Sequence, residues 1–84
     1  MQQFMRKFAQ LNGIGAKVVI EHCLFDSQRF YCQQLQTISD DEKIGVLLKG
    51  HAIFMYKQNV KIAEVSDGVY TLSDGRLTII VNKL

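Results

Sequence analysis

Residues 44–65 read IGVLLKGHAIFMYKQNVKIAEV, and this stretch limits the possible folds more than any other. Ile44-Gly45-Val46-Leu47-Leu48 is an apolar run, Lys49-Gly50 is a turn signal, and Ala52-Ile53-Phe54-Met55-Tyr56 is a second apolar run. The polar triplet Lys57-Gln58-Asn59 interrupts, and residues 60–65 resume in alternation. Short apolar runs rich in β-branched and aromatic residues, broken by Gly, Asn and Lys, are the pattern of strands in antiparallel succession. The stretch is therefore expected to form the centre of a small β-barrel or strongly bent sheet.

The remaining chain is expected to cover or extend that centre. Met1, Phe4, Met5, Phe8 and Leu11 recur at helical spacing, which predicts a helix over residues 1–12 with one apolar stripe laid across an open barrel end. Asn12-Gly13 supplies its stop, and Gly13-Ile14-Gly15 a hinge. Residues 16–24 predict a strand, Asp26-Ser27 a turn, and residues 29–38 a long strand whose imperfect alternation suits a bend from core to rim. Residues 39–43 form a solvated loop. Asp67-Gly68 and Asp74-Gly75 each sit between β-type segments, a strong hairpin signal, and place an additional hairpin over residues 69–82. The fold class expected is mainly β. It comprises an N-terminal helix, barrel strands over residues 16–65 and an extra C-terminal hairpin, in about six or seven strands.

A chain of 84 residues forms one domain with one modest core. Its hydrophobic content, 48%, is that of a folding chain and not of a disordered segment. Ten Lys and Arg against eight Asp and Glu leave a net charge of +2, compatible with nucleic-acid contact but too small to demand it. Two cysteines, Cys23 and Cys32, make no disulfide framework. With no leader and no apolar run of membrane-spanning length, the expectation is a cytoplasmic protein with reduced thiols and no membrane partner.

Catalytic and cofactor readings find little support in the residues. His22 and Cys23, adjacent on an expected strand, would point to opposite faces. His51 has no evident carboxylate partner, and the two Cys and two His lack the close-pair spacing of a zinc site. Gly13-x-Gly15 follows a helix instead of opening one, so it is no phosphate loop. Neither enzyme activity, metal nor cofactor is expected. Tyr56-Lys57-Gln58-Asn59 offers a ring for stacking, a cation for phosphate and two amides for base edges, the set that single-strand RNA recognition uses. The same four residues also make an ordinary hairpin turn.

Leu47-Leu48-Lys49 followed, after a short gap, by Met55-Tyr56-Lys57 resembles the second signature of the bacterial Sm-like (Hfq-type) RNA-binding family. Phe4-Met5 and Lys17-Val18-Val19-Ile20 are similar to that family's helix and first strand, so the likeness covers roughly residues 2–65. The pattern departs from it at Gln58, where the family has His, and at Ser27 and Cys32, where it has turn and bend glycines. Ile44 takes the place of its stacking aromatic. The family's uridine-holding glutamine falls at Met1, with Gln2 and Gln3 nearby.

The resemblance implies an Sm-like barrel that binds single-stranded RNA as a ring-shaped homo-oligomer. It implies Tyr56, Lys57 and Gln58 lining the central face, with Gln3, Arg6, Lys7 and Arg29 as further RNA contacts. The alternative is a small β-barrel protein-interaction or structural module, of the kind found in phage and mobile elements, that touches no nucleic acid.

Overall fold

The computed structural model describes residues 2–84, which form one short helix and eight strands, all paired antiparallel. Helix α1 spans Gln2–Ala9. Its last turn tightens, with the N–H groups of Leu11 and Asn12 bonding carbonyls only three residues back. Gly13, at φ 89°, then reverses the chain. The expected stripe faces inward: Phe8 and Leu11 are buried, and Phe4 and Met5 pack on the core's margin. Met1, its first member, lies outside the described residues.

The strands are β1 (Ala16–His22), β2 (Phe25–Cys32), β3 (Gln36–Ser39), β4 (Lys43–Leu48), β5 (His51–Tyr56), β6 (Lys61–Ser66), β7 (Val69–Ser73) and β8 (Leu77–Lys83). They form a five-stranded sheet, β2-β1-β8-β7-β6, and a three-stranded sheet, β3-β4-β5. The expected mainly β fold with an N-terminal helix is present, and no closed barrel is found among the described residues. Two sheets share one core, in which Val18, Leu72, Ile79 and Val81 from the larger meet Ile44, Val46, Leu48 and Met55 from the smaller. Helix α1 lies against β3 and β6, one edge strand from each sheet, and so covers a gap between sheets instead of a barrel mouth. Two bonds hold it there: Lys7 Nζ meets Glu64 Oε1 at 2.9 Å, and Asn12 Oδ1 accepts the Thr37 N–H at 3.0 Å.

Several local expectations are corrected. The long strand over residues 29–38 breaks at 33–35, where buried Leu35 turns into the core and carries the chain from one sheet to the other. Gly13 N–H donates to the Leu35 carbonyl at 2.6 Å, and Leu35 N–H to the Ile14 carbonyl at 2.7 Å. The supposed hinge is thus stitched down. The first hairpin turns at Cys23-Leu24, not at Asp26-Ser27. From Ile20↔Gln28 to His22↔Phe25, β1 advances two residues and β2 three, so Asp26-Ser27 hold the bulge. The C-terminal hairpin is no addition. Strand β8 lies between β1 and β7, at the middle of the larger sheet, because Ile79 and Val81 bury completely.

Four strand edges stay unpaired, and three of them are blunted. Strands β2 and β6 each carry a bulge, and β3 has four residues beside α1. Strand β5, HAIFMY, has no bulge and no Lys, Arg, Asp or Glu. Such an edge is a template for another strand.

Candidate nucleic-acid interface

Tyr56, Lys57 and Gln58 are brought together. They line a depression of about 370 Å³ at the end of β5 and the 3₁₀ turn Lys57–Asn59. Asp41 and Glu42 complete its wall, and Lys57 N–H is bonded to the Glu42 carbonyl at 2.8 Å. The acidic loop is more than the solvated segment expected from its composition. In the fold, Asp40 Oδ1 accepts the N–H groups of Glu42 and Lys43, and these bonds hold its carboxyl below the usual carboxylate range. The loop is thereby fixed with its acids beside Tyr56-Lys57-Gln58, where they oppose a phosphate and leave the ring and amide as the better contacts.

A larger depression, about 490 Å³, opens along β2 where the chain crosses between sheets. It is lined by Arg29, Phe30, Tyr31 and Cys32 of β2, by Gln34 and Gln36 at the crossing, and by Leu47, Leu48, Lys49 and Gly50 at the β4–β5 turn. It combines two cations, two aromatic rings and two amides with no carboxylate. Tyr31 is 73% exposed. Because β2 is an edge strand, half of its backbone N–H and C=O groups face outward without a ladder partner. The seam thus offers stacking surfaces, phosphate-seeking cations and donors and acceptors for base edges.

Lys49 is positioned by strain. The two-residue loop between Leu48 and His51 has positive φ at both Lys49 (51°) and Gly50 (81°). Loops of this primed type favour Asn-Gly or Asp-Gly, since a long side chain is disfavoured in the left-handed region. Here the lysine is held with Nζ 5.7 Å from the centre of the Phe30 ring. A local rule broken in this way is expected at functional positions.

Of the sequence-selected residues, Arg29 lies in this seam and Tyr56, Lys57 and Gln58 in the smaller depression. Gln3 and Arg6 are exposed on α1 and line neither. Lys7 is occupied by Glu64; each raises the charged population of the other, so the lysine is pushed up and the carboxyl down. Phe30, Tyr31, Gln34, Gln36 and Lys49 were missed, because the crossing at residues 33–35 that unites them is a tertiary feature. The Lys49-Gly50 turn was itself visible as a signal.

The expectation for His22 and Cys23 is corrected too. Cys23 lies in a turn, so its Sγ sits 3.9 Å from His22 Nδ1. That nitrogen already accepts the Leu24 N–H at 3.1 Å, which leaves it poorly placed as a base. Among the described residues no three His, Cys, Asp or Glu side chains gather as a metal site, and no helix is long and apolar enough to cross a membrane. Comparison with protein-family models, curated proteins and solved structures finds no match for the chain.

Proposed function

We propose that the protein binds single-stranded RNA at the seam beside β2, and that copies assemble into a closed ring through the β5 and β6 edges. The observation that carries the reading is Lys49, held at φ 51° in a turn that would accept Asn more readily, over an aromatic ring in a depression without acids. The likeness of Leu47-Leu48-Lys49 and Tyr56-Lys57 to the Sm-like signature points to the same class of ligand. Tyr31 stacks a base, a contact worth about 1–3 kcal/mol, while Arg29 and Lys49 hold phosphate and the glutamines meet base edges. Tyr56 and Gln58 supply a secondary contact where phosphate is unwelcome.

Lys49→Asn separates binding from folding. It is expected to raise stability by up to about 1 kcal/mol by relieving the turn. It should also weaken binding of short U-rich and A-rich oligonucleotides roughly fivefold and lower the salt slope by about 1. Thermal melting and fluorescence anisotropy check the two effects. Unchanged affinity in the variant, or no binding by the wild type at tens of micromolar, overturns the reading.

Ring assembly rests on the edges. Strands β5 and β6 are joined only by residues 57–60, yet they belong to different sheets and each keeps one side open. Head-to-tail pairing of such edges either closes or runs on as a fibre. Ala52→Lys puts a charge on the exposed side of β5 and should reduce a multi-subunit species to monomer in sedimentation velocity. A wild type already monomeric at tens of micromolar sinks the assembly.

One observation favours a protein-interaction module without nucleic acid. An apolar hollow of about 250 Å³ is lined mainly by Ile20, Phe25 (69% exposed), Ile53 and Leu77, and Leu24 (77%) adjoins Phe25 in the chain. That module is the reading left standing if no oligonucleotide binds.

A further inference from the structure

The larger sheet buries one face, through Val18, Leu72, Ile79 and Val81, and leaves the other uncovered. Register places the outward residues in rows that run across the strands. One row runs Arg29, Val19, Ile80, Thr71, Ala63. The next begins Tyr31, Lys17, Asn82, Val69. A third, from β1 to β6, runs Glu21, Thr78, Ser73, Lys61. Arg29 and Tyr31 therefore belong both to the seam and to this open face.

The charges of the molecule are sorted about it. The outward positions hold three cations, Lys17, Arg29 and Lys61, against the single carboxylate Glu21. The other acids lie in the β3–β4 loop, in hairpin turns, at the β2 bulge, or, like Glu64, on the inward side of β6 tied to Lys7. Hydroxyls and an amide fill four of the remaining positions: Thr71, Ser73, Thr78 and Asn82. Between them Val19 and Ile80 make a low apolar strip, half-buried by their neighbours and covered by no other element. A flat surface with an aromatic at its margin, spaced cations, hydroxyl donors and little side-chain relief suits an extended polyanion whose bases lie against it.

We infer that the open face of the five-stranded sheet is the track along which single-stranded RNA leaves the seam, with Lys17, opposite Tyr31 on the neighbouring strand, as its first phosphate contact. This rests on the seam being an RNA site. At a strand spacing of about 4.8 Å, the five strands extend the site by roughly 19 Å. The occupied length then reaches at least about four nucleotides, the lower end of what one small β fold holds. Glu21 lies four residues further along β1 than Lys17, and its charge repels a strand that strays toward that end of the face.

The test is amide chemical-shift mapping of the full-length protein with a hexanucleotide of U and with a dinucleotide. The hexanucleotide is expected to move the amides of Lys17, Thr71 and Ile80 as well as those of residues 29–34 and 47–50, the dinucleotide only the latter. Lys17→Ala should weaken the hexanucleotide roughly fivefold and lower its salt slope by about 1. Lys17→Arg should restore both, and Glu21→Gln should tighten binding. The side chains changed point outward, so melting curves report whether each variant stays folded. If the hexanucleotide moves only the seam amides, and Lys17→Ala binds it as the wild type does, the track is overturned while the seam reading stands. If neither oligonucleotide moves any seam amide, the seam reading fails and the track with it.

Discussion

Gly45→Ala is expected to lower stability by about 3 kcal/mol or more, among the largest effects of any single-methyl addition to this chain. Gly45 pairs with Phe54 across β4 and β5, and a Cβ there would overlap the Ile53 carbonyl oxygen and lie 2.6 Å from Phe54 Cα. Both are backbone atoms of a paired strand, so nothing can rotate aside. Relief requires β5 to move away from β4, which breaks the ladder and displaces Met55 from the core. Outside the strand pair, the Phe54 side chain stands opposite Gly45 on the smaller sheet's outer face, with Lys43 Nζ 4.6 Å from its ring centre. Gly15 supplies the contrast. Nothing approaches closer than 3.7 Å there and its φ is ordinary, so Gly15→Ala should be neutral or stabilise by about 0.4–1 kcal/mol. Denaturant unfolding of the two variants decides the matter: comparable midpoints would mean that the strands open easily at Gly45.

Phe8→Ala is expected to destabilise by about 3–5 kcal/mol. Phe8 is 0% exposed and is the point at which the helix reaches the shared core of both sheets. Its ring stacks on Phe4 at 6.0 Å, and Phe4 in turn meets Tyr70 edge-on at 5.8 Å. Truncation would leave a cavity that an eight-residue helix, tethered at Lys7 and Asn12, cannot close by sliding inward. For a domain of this size the loss corresponds to a fall in melting temperature on the order of 15–30 °C. A change of only a few degrees would show that α1 rests on the sheets without belonging to the core. Phe4→Ala, at a half-buried position, should have the smaller effect.

These two positions differ in how visible they are in the sequence. Phe8 is the centre of a stripe at helical spacing, and its burial follows from that spacing alone, since no other arrangement of Phe4, Met5, Phe8 and Leu11 shields them together. Gly45 sits inside an apolar run and looks like any strand glycine. Its necessity comes from the distance between two backbones, which periodicity does not encode. The candidate site divides in the same manner. Tyr56-Lys57-Gln58 is contiguous, so a reader of the chain finds it at once; the fold then sets Asp41 and Glu42 against it. The seam joins residues 29–36 to residues 47–50, and of its members the sequence marks only Arg29 as an RNA contact, although Leu47-Leu48-Lys49 stands out as a motif.

What the sequence by itself determined is what local chemistry controls. Alternation and β-branched runs specify the strands, the stripe specifies the helix, and Lys49-Gly50, Asp67-Gly68 and Asp74-Gly75 specify where hairpins reverse. Each of these choices is made by steric limits and burial within a few residues. Tertiary structure alone decided which strands became neighbours. Strand β8 could pair with β1 only once Ile79 and Val81 had a core to enter, and that pairing made the last hairpin the middle of a sheet. It also decided that Leu35 would fold inward and divide one long strand between two sheets, because a buried leucine is favoured by contacts with residues far away in the chain. The seam, the open sheet face and the close approach at Gly45 all follow from that division, and non-local burial is their common cause.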